Sequence, residues 1–395
     1  MSAPLPPQPS LLSDVSGRAI GAGIVASIVG YVSTFAIIIQ ALTVAGATTG
    51  QVASGLLAMG IAQFVASIIL CVSTRMPVSI AWSTPGLALL ISNGAMPGGF
   101  AEVVGGFVIC GGLIILCGLW KTLDRLVRAI PPTLANAMLA GVLLKLCLKP
   151  FAAVGIAPAE ALAVVATWAI VGRFYKLWAV PAALAVAAGI VIAESTGSVL
   201  GSGPLLPELD FVTPVFTLSG LVSVGLPLFL VTMASQNIPG LAILSVYGYQ
   251  PKTPPVFVIT GIGSLVSGLF GAIPINLAAI TAAMCASPEA HPDPARRWVA
   301  ALTSGVGYLG FGLIAAIATG FVANAPTLLI AAVAGLALLN ACGAALVSAL
   351  TDQKERLAAL VTFMVAATDL TFFGVGSAFW SLIAGGAVYL LYRRT

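Results

Sequence analysis

The sequence predicts an all-α membrane protein of fourteen transmembrane spans, built as a seven-plus-seven inverted repeat. Three observations lead there: the composition, the placement of the basic residues, and short motifs that recur at a nearly constant separation. Of 395 residues, 59% are hydrophobic and only 7% charged, and the mean hydropathy is +1.11. A soluble globular domain carries about 25% charged residues. This chain has too little polar surface to cover itself, so its solvent is lipid.

Residues 1–12, MSAPLPPQPSLL, lack the basic start and small-residue cleavage site of a secretory signal. Their Pro-rich composition assigns residues 1–16 to a disordered N-terminal tail. Hydropathy then divides the first half into spans at 17–43, 50–73, 77–93, 99–120, 131–149, 158–173 and 178–195. The second half gives 218–247, 254–270, 271–287, 297–320, 325–348, 355–373 and 375–392. The repeats thus occupy 17–195 and 218–392.

The basic residues test this division independently. With the N-terminus in the cytoplasm, the inner side collects Arg18, Arg75, Lys121, Arg125, Arg128, Arg173, Lys176 and Lys252. It also receives Arg296, Arg297, Lys354, Arg356, Arg393 and Arg394, leaving only Lys145 and Lys149 outside, a split of 14 to 2. Positive charge accumulates on the cytoplasmic side of bacterial membrane proteins. A bacterial inner-membrane protein with both termini cytoplasmic follows, and the net charge of +4 reports topology rather than nucleic-acid binding. Between spans 4 and 5, KTLDRLVRAI sets Leu123, Leu126, Val127 and Ile130 on one face and Lys121, Arg125 and Arg128 on the other. That pattern predicts a short helix lying on the membrane surface.

The halves resemble each other. PTLANAMLAG (132–141) matches PTLLIAAVAG (326–335) at an offset of 194, and PVSIAWSTPG (77–86) matches PINLAAITAA (274–283) at 197. Gln40 and Gln236 are 196 apart. Seven is odd, so the second copy runs inverted through the bilayer. This is the architecture of secondary transporters, which hold substrate near the midplane between broken helices.

Spans 3 and 10 show what a broken crossing looks like. After Pro77, VSIAWS is rich in β-branched and aromatic residues, and Thr84-Pro85 reads as an N-cap with proline at the first helical position. About five extended residues at ~3.3 Å and nine helical ones at 1.5 Å sum to roughly one hydrocarbon thickness. Span 10 repeats the design, FGAIPI extended and then a helix expected to begin near Asn276. Spans 3 and 10 are therefore expected to cross as half strand, half helix. Their helix N-termini would face each other with unpaired N–H groups and partial positive charge, an anion site needing no Lys or Arg.

Span 8 carries TMASQNIPG (232–240), with Gln236 and Asn237 side by side in an otherwise apolar run. An unsatisfied amide in hydrocarbon costs several kcal/mol, so both must face protein, water or ligand. Pro239 and Gly240 are expected to loosen the helix beside them. Either these amides glue helices together, or Gln40, Gln236, Asn237 and Asn276 line a substrate site.

Other chemistry has little to work with. The six cysteines form no CxxC pair and the sole histidine, His291, sits in the polar loop SPEAHPDPARR. No metal site, no cofactor and no enzymatic nucleophile–base pair is expected. Glu102, Glu160, Glu194, Glu208 and Asp210 fall at span ends or in loops, where solvated interfacial acids are expected. Asp369, in AATDLTFFG, is the one acid expected within a span and is the proton-coupling candidate.

TMASQNIPG, PVSIAWSTPG and IPINLAAITAA together resemble the bacterial benzoate transporter (BenE) family, over essentially the whole chain. More loosely they resemble nucleobase–ascorbate and sulfate-type permeases. The resemblance implies a core domain from the spans within 17–120 and 218–320, a gate domain from those within 131–195 and 325–392, and a homodimer. It implies proton-coupled uptake of benzoate or a similar aromatic carboxylate, with a nucleobase or inorganic anion as the alternative substrate. In nucleobase permeases an acidic residue or Gln of span 8 and a residue at the start of the span 10 helix grip the base. By position these fall on Gln236 and Asn276, both uncharged here, which favours a carboxylate. The expected pose sets the carboxylate near Ser83, Thr84 and Asn276, with Gln236, Asn237 and Gln40 as amide donors. The ring would lie against Trp82, Phe35 or Tyr31.

Overall fold

The structure is a computed structural model, and it describes residues 11–128, 131–194, 206–278, 280–368, 370, 372 and 376–392. Helices α1 (Gly17–Val44) and α2 (Thr49–Thr74) lead to strand β1 (Ile80–Trp82) and helix α3 (Thr84–Asn93). Then come α4 (Gly99–Leu119), the short α5 (Lys121–Arg128), α6 (Pro132–Val154), α7 (Pro158–Phe174) and α8 (Ala179–Glu194). The second half begins with one long helix, α9 (Leu218–Val246). It continues through α10 (Thr253–Gly268), β2 (Ile275–Leu277), α11 (Ile280–Ala286) and α12 (Trp298–Leu313). It ends with α13 (Ala315–Asn324), α14 (Thr327–Leu350), α15 (Arg356–Ala367) and α16 (Ser377–Tyr392).

Most helices begin and end within about six residues of a predicted segment, but α11 starts nine residues into the segment 271–287 and the segment 297–320 is broken between α12 and α13. Six described helices are long and apolar enough to cross a membrane, or eight if α1 and the α12–α13 pair, bent by 56°, each count as one span. Glycines set the close approaches. A Cβ on Gly23 of α1 would lie 2.4 Å from the Ala300 carbonyl oxygen of α12. One on Gly335 of α14 would lie 2.3 Å from that of Leu146 in α6. Small residues permit such contacts where lipid removes the hydrophobic drive between helices.

Helix α9 departs from α-geometry twice, over Leu221–Gly225 and Met233–Asn237, where it widens to π-turns. Both widenings end shortly before a proline, Pro227 and Pro239. A proline has no N–H and its ring crowds the carbonyl four residues back. The preceding residue bonds five back instead: Leu226 N–H to the Leu221 carbonyl, and Ile238 N–H to that of Met233. The Ser223 carbonyl, four before Pro227, is taken up by Asn93 Nδ2 at 2.6 Å. The loosening expected at Pro239-Gly240 thus lies on the N-terminal side of the proline, over Met233–Asn237.

Four local expectations need correction. Residues 11–16, assigned to the disordered tail, include a short 3-10 helix at Leu11–Asp14. Asp14 is buried there, accepting from Arg75 at 2.5 Å and from Trp298 Nε1 at 3.0 Å. The cap of α3 is Ser83, not Thr84: its hydroxyl accepts from Gly86 N–H at 3.1 Å, and Thr84 is the first helical residue. The second half-helix starts at Ile280 rather than near Asn276, because strand pairing runs on until Ala278 N–H donates to Ser79 at 3.0 Å. Glu102 is no solvated acid. It is 2% exposed, accepts from Gly98 N–H at 2.7 Å and is bonded by the Thr217 hydroxyl, which itself caps α9.

Candidate functional site

The centre of the molecule is the two-stranded ribbon where the halves meet. β1 and β2 pair antiparallel with Ile80 opposite Leu277, Ala81 opposite Asn276 and Trp82 opposite Ile275. Residues directly opposite in such a pair share a face, and neighbours along a strand alternate. One face therefore carries Ile80, Trp82, Ile275 and Leu277, and the other carries Ala81 and Asn276.

The first face is closed. Trp82 lies edge-on to Tyr308 of α12 at 5.2 Å and to Tyr31 of α1 at 5.9 Å. Tyr31 stacks on Phe311 at 4.4 Å, with the planes 9° apart, and tilts against Phe35 at 5.5 Å. Three predicted aromatics do come together, joined by Tyr308 and Phe311, which sequence reasoning missed. They occupy the face opposite Asn276, however, so the register separates the expected ring contacts from the expected polar contact.

The outer edge of β2 is fully bonded. Ile275 N–H donates to Ser264 Oγ of α10 at 2.9 Å, and that hydroxyl also contacts the Ile275 carbonyl at 3.0 Å. Leu277 N–H donates to Asn237 Oδ1 at 2.9 Å. Asn237 is 0% exposed. Gly240 lets α9 lie this close, since a Cβ there would meet the Leu277 Cβ at 2.8 Å. Asn276, also 0% exposed, has its amide oriented so that oxygen accepts from Ser83 N–H and nitrogen donates to the Leu277 carbonyl, both at 2.9 Å. TMASQNIPG thus has a structural use: its asparagine completes the ladder of a strand too short to hold itself.

The remaining candidates differ. Gln236 and Thr84 are half-buried, and neither side chain makes a hydrogen bond with the protein among the described residues. Thr84 opens α3 beside Pro85, which has no N–H. The N–H groups of Gly86 and Leu87 are already taken by Ser83. The positive end of α3 is therefore narrower than expected, reduced to Thr84. Ser83 is 2% exposed and spent on the cap. Among the described residues Gln40 shares no hydrogen bond with the other candidates, and its Oε1 and the Tyr31 hydroxyl are buried without a partner. Asp369 lies outside the described residues.

Among the described candidates no side chain is charged, and no cluster of three metal-binding residues occurs among the described residues. Two apolar clefts of about 400 and 390 Å³ lie elsewhere, between α1 and α12 and between α2 and α10.

A family profile for the benzoate membrane transport protein, BenE, matches residues 13–391. The chain is 45% identical over 378 residues to the inner membrane protein YdcO of Escherichia coli (strain K12), covering 94% of each chain. It is 30% identical over 389 residues to the benzoate membrane transport protein of Acinetobacter baylyi (strain ATCC 33305 / BD413 / ADP1), covering 98% of each. Among solved structures, the transmembrane domain of the cyanobacterial bicarbonate transporter BicA superposes with a TM-score of 0.61 at 17% identity, over 96% of this chain and 97% of that one. SLC26A9 gives 0.63 at 12% identity, over 97% and 67%. At such identities the likeness concerns the fold alone. This is a membrane transporter and not an enzyme, and the chain belongs to the BenE family of benzoate membrane transport proteins.

Proposed function

We propose that the protein takes up benzoate, or a similar small aromatic carboxylate, across the bacterial inner membrane by proton symport. The chain then crosses fourteen times as two inverted repeats with both termini cytoplasmic, and spans 3 and 10 are half strand, half helix. The core domain (17–120 and 218–320) moves against the gate domain (131–195 and 325–392), and the protein pairs as a homodimer. Substrate sits on the Ala81 side of the ribbon, where Thr84 and Gln236 are its donors. Asn237, Asn276 and Ser83 hold the strands in place, and Tyr31, Phe35 and Trp82 form the wall behind them. Gln40 supplies a further amide, and Asp369 is the candidate proton carrier.

One observation carries this reading. Beside a ribbon whose β2 edge is fully bonded, Gln236 and Thr84 remain half-buried with no hydrogen-bond partner among the described residues. Uptake into proteoliposomes is the test. Labelled benzoate should accumulate with an inward proton gradient and stop accumulating with a protonophore. Accumulation of uracil or sulfate in place of benzoate would overturn the substrate assignment.

A further inference from the structure

The turn between α7 and α8 reads Arg173-Phe174-Tyr175-Lys176-Leu177-Trp178, and all six residues are exposed. Phe174 is 72% and Tyr175 68% exposed, with Leu177 and Trp178 near half. A run of four large apolar residues does not stay in water without cause. The cations interleaved with them, Arg173 and Lys176, form no ion pair among the described residues. The Arg173 guanidinium instead lies 5.9 Å from the Phe174 ring.

The helix that follows is the least enclosed of the long apolar ones. Over Lys176–Ala193 only 28% of the apolar window is buried, against 50–61% for the other five. One stripe of the helix, Ala179, Ala183, Ala187 and Val191, is buried, and much of the remaining circumference is open. A turn at the end of an apolar helix of spanning length falls near the depth where hydrocarbon gives way to headgroups. Aromatic rings concentrate at that depth, and basic side chains there are attracted by anionic lipid.

We propose that the α7–α8 turn is a docking site for anionic phospholipid headgroups. Arg173 and Lys176 take the phosphate charge, while Phe174, Tyr175 and Trp178 seat in the interface. The site anchors the outer arm of the proposed gate domain at a fixed depth while the core moves. It rests on the cytoplasmic orientation proposed above and is independent of the substrate.

The test uses the full chain purified in detergent, titrated with phosphatidylglycerol or phosphatidylcholine, and lipid retention read by native mass spectrometry. Two basic residues at an anionic surface predict a preference for phosphatidylglycerol of about 25-fold, roughly fivefold each. The pair Arg173→Gln and Lys176→Gln should abolish the preference. Phe174→Ala with Trp178→Ala should weaken both lipids alike. Benzoate binding should be unchanged in all of them. A double Gln variant that kept the wild-type preference for phosphatidylglycerol would overturn the site. So would cross-linking between copies through Lys176→Cys, because a second copy would then cover the turn. A wild-type protein that prefers phosphatidylglycerol yet binds no benzoate would remove the substrate reading and leave the anchor standing.

Discussion

Asn237 and Gln236 are neighbours in sequence with opposite tasks, and substitution should separate them. In Asn237→Ala the Leu277 N–H, now bonded at 2.9 Å, loses its acceptor in a fully buried setting. An orphaned buried donor costs about 1–3 kcal/mol. Apo stability should fall by that amount. Benzoate affinity should fall by at most the same amount, about 30-fold at the middle of that range, the cost of re-docking the strand on α9, and the protein should still respond to benzoate. Gln236→Ala removes no protein hydrogen bond, so the apo protein should melt unchanged. A donor lost to a charged ligand is worth about 1.5–3 kcal/mol, which is roughly tenfold to a hundredfold in affinity. The assay is thermal unfolding of each purified variant, without substrate and across a benzoate titration. An Asn237→Ala protein with wild-type apo melting and no benzoate response would refute this division of labour.

Other expectations follow from the same geometry. Gly240→Leu places a side chain where even a Cβ meets Leu277 at 2.8 Å; overpacking should cost about 1–3 kcal/mol and uptake should be lost in protein that still inserts. Ser264→Ala orphans the Ile275 N–H, and the apo protein should be less stable by about 1–3 kcal/mol in a melting curve. Asp14→Ala removes the acceptor of Trp298 Nε1 and the partner of Arg75, whereas Asp14→Asn keeps an oxygen for the indole. The alanine variant should therefore melt below the asparagine one. Tyr31→Phe removes a buried hydroxyl with no partner among the described residues, so benzoate affinity and apo stability should both stay near wild type. A marked loss of binding would return Tyr31 to the substrate site.

Helix positions were readable because hydropathy, basic-residue placement and Pro/Gly punctuation each mark span ends. The strand-then-helix reading of 77–93 was readable for the same reason: β-branched residues precede Thr84-Pro85. Details at the ribbon were not. Whether Asn276 lies in a strand or opens a helix depends on what Ala278 N–H meets across the ribbon, and that partner, Ser79, is 199 residues away in sequence. The alternation in β1 does show that Trp82 and Ala81 point apart. Assigning Asn276 to the Ala81 side needs the register. Ser264 and Tyr308 gave no signal because isolated hydroxyls in apolar helices are common. In hindsight GYLGF (307–311) sets two aromatics among glycines, the pattern of a ring packed across a close helix contact. The burial of Glu102 is not legible in sequence, because a span-end position does not reveal the neighbouring Thr217 hydroxyl and Gly98 N–H that it accepts from.

The most direct test asks which side of the ribbon substrate touches. Single cysteines at Ala81, Thr84, Gln236, Ile80 and Trp82 can be probed with a polar maleimide, since the six native cysteines are all buried. Benzoate should slow labelling of Ala81→Cys, Thr84→Cys and Gln236→Cys, and uracil should not, while Ile80→Cys and Trp82→Cys stay unreactive throughout. Benzoate protection confined to Trp82→Cys and Ile80→Cys would place the ligand behind the ribbon and contradict the account.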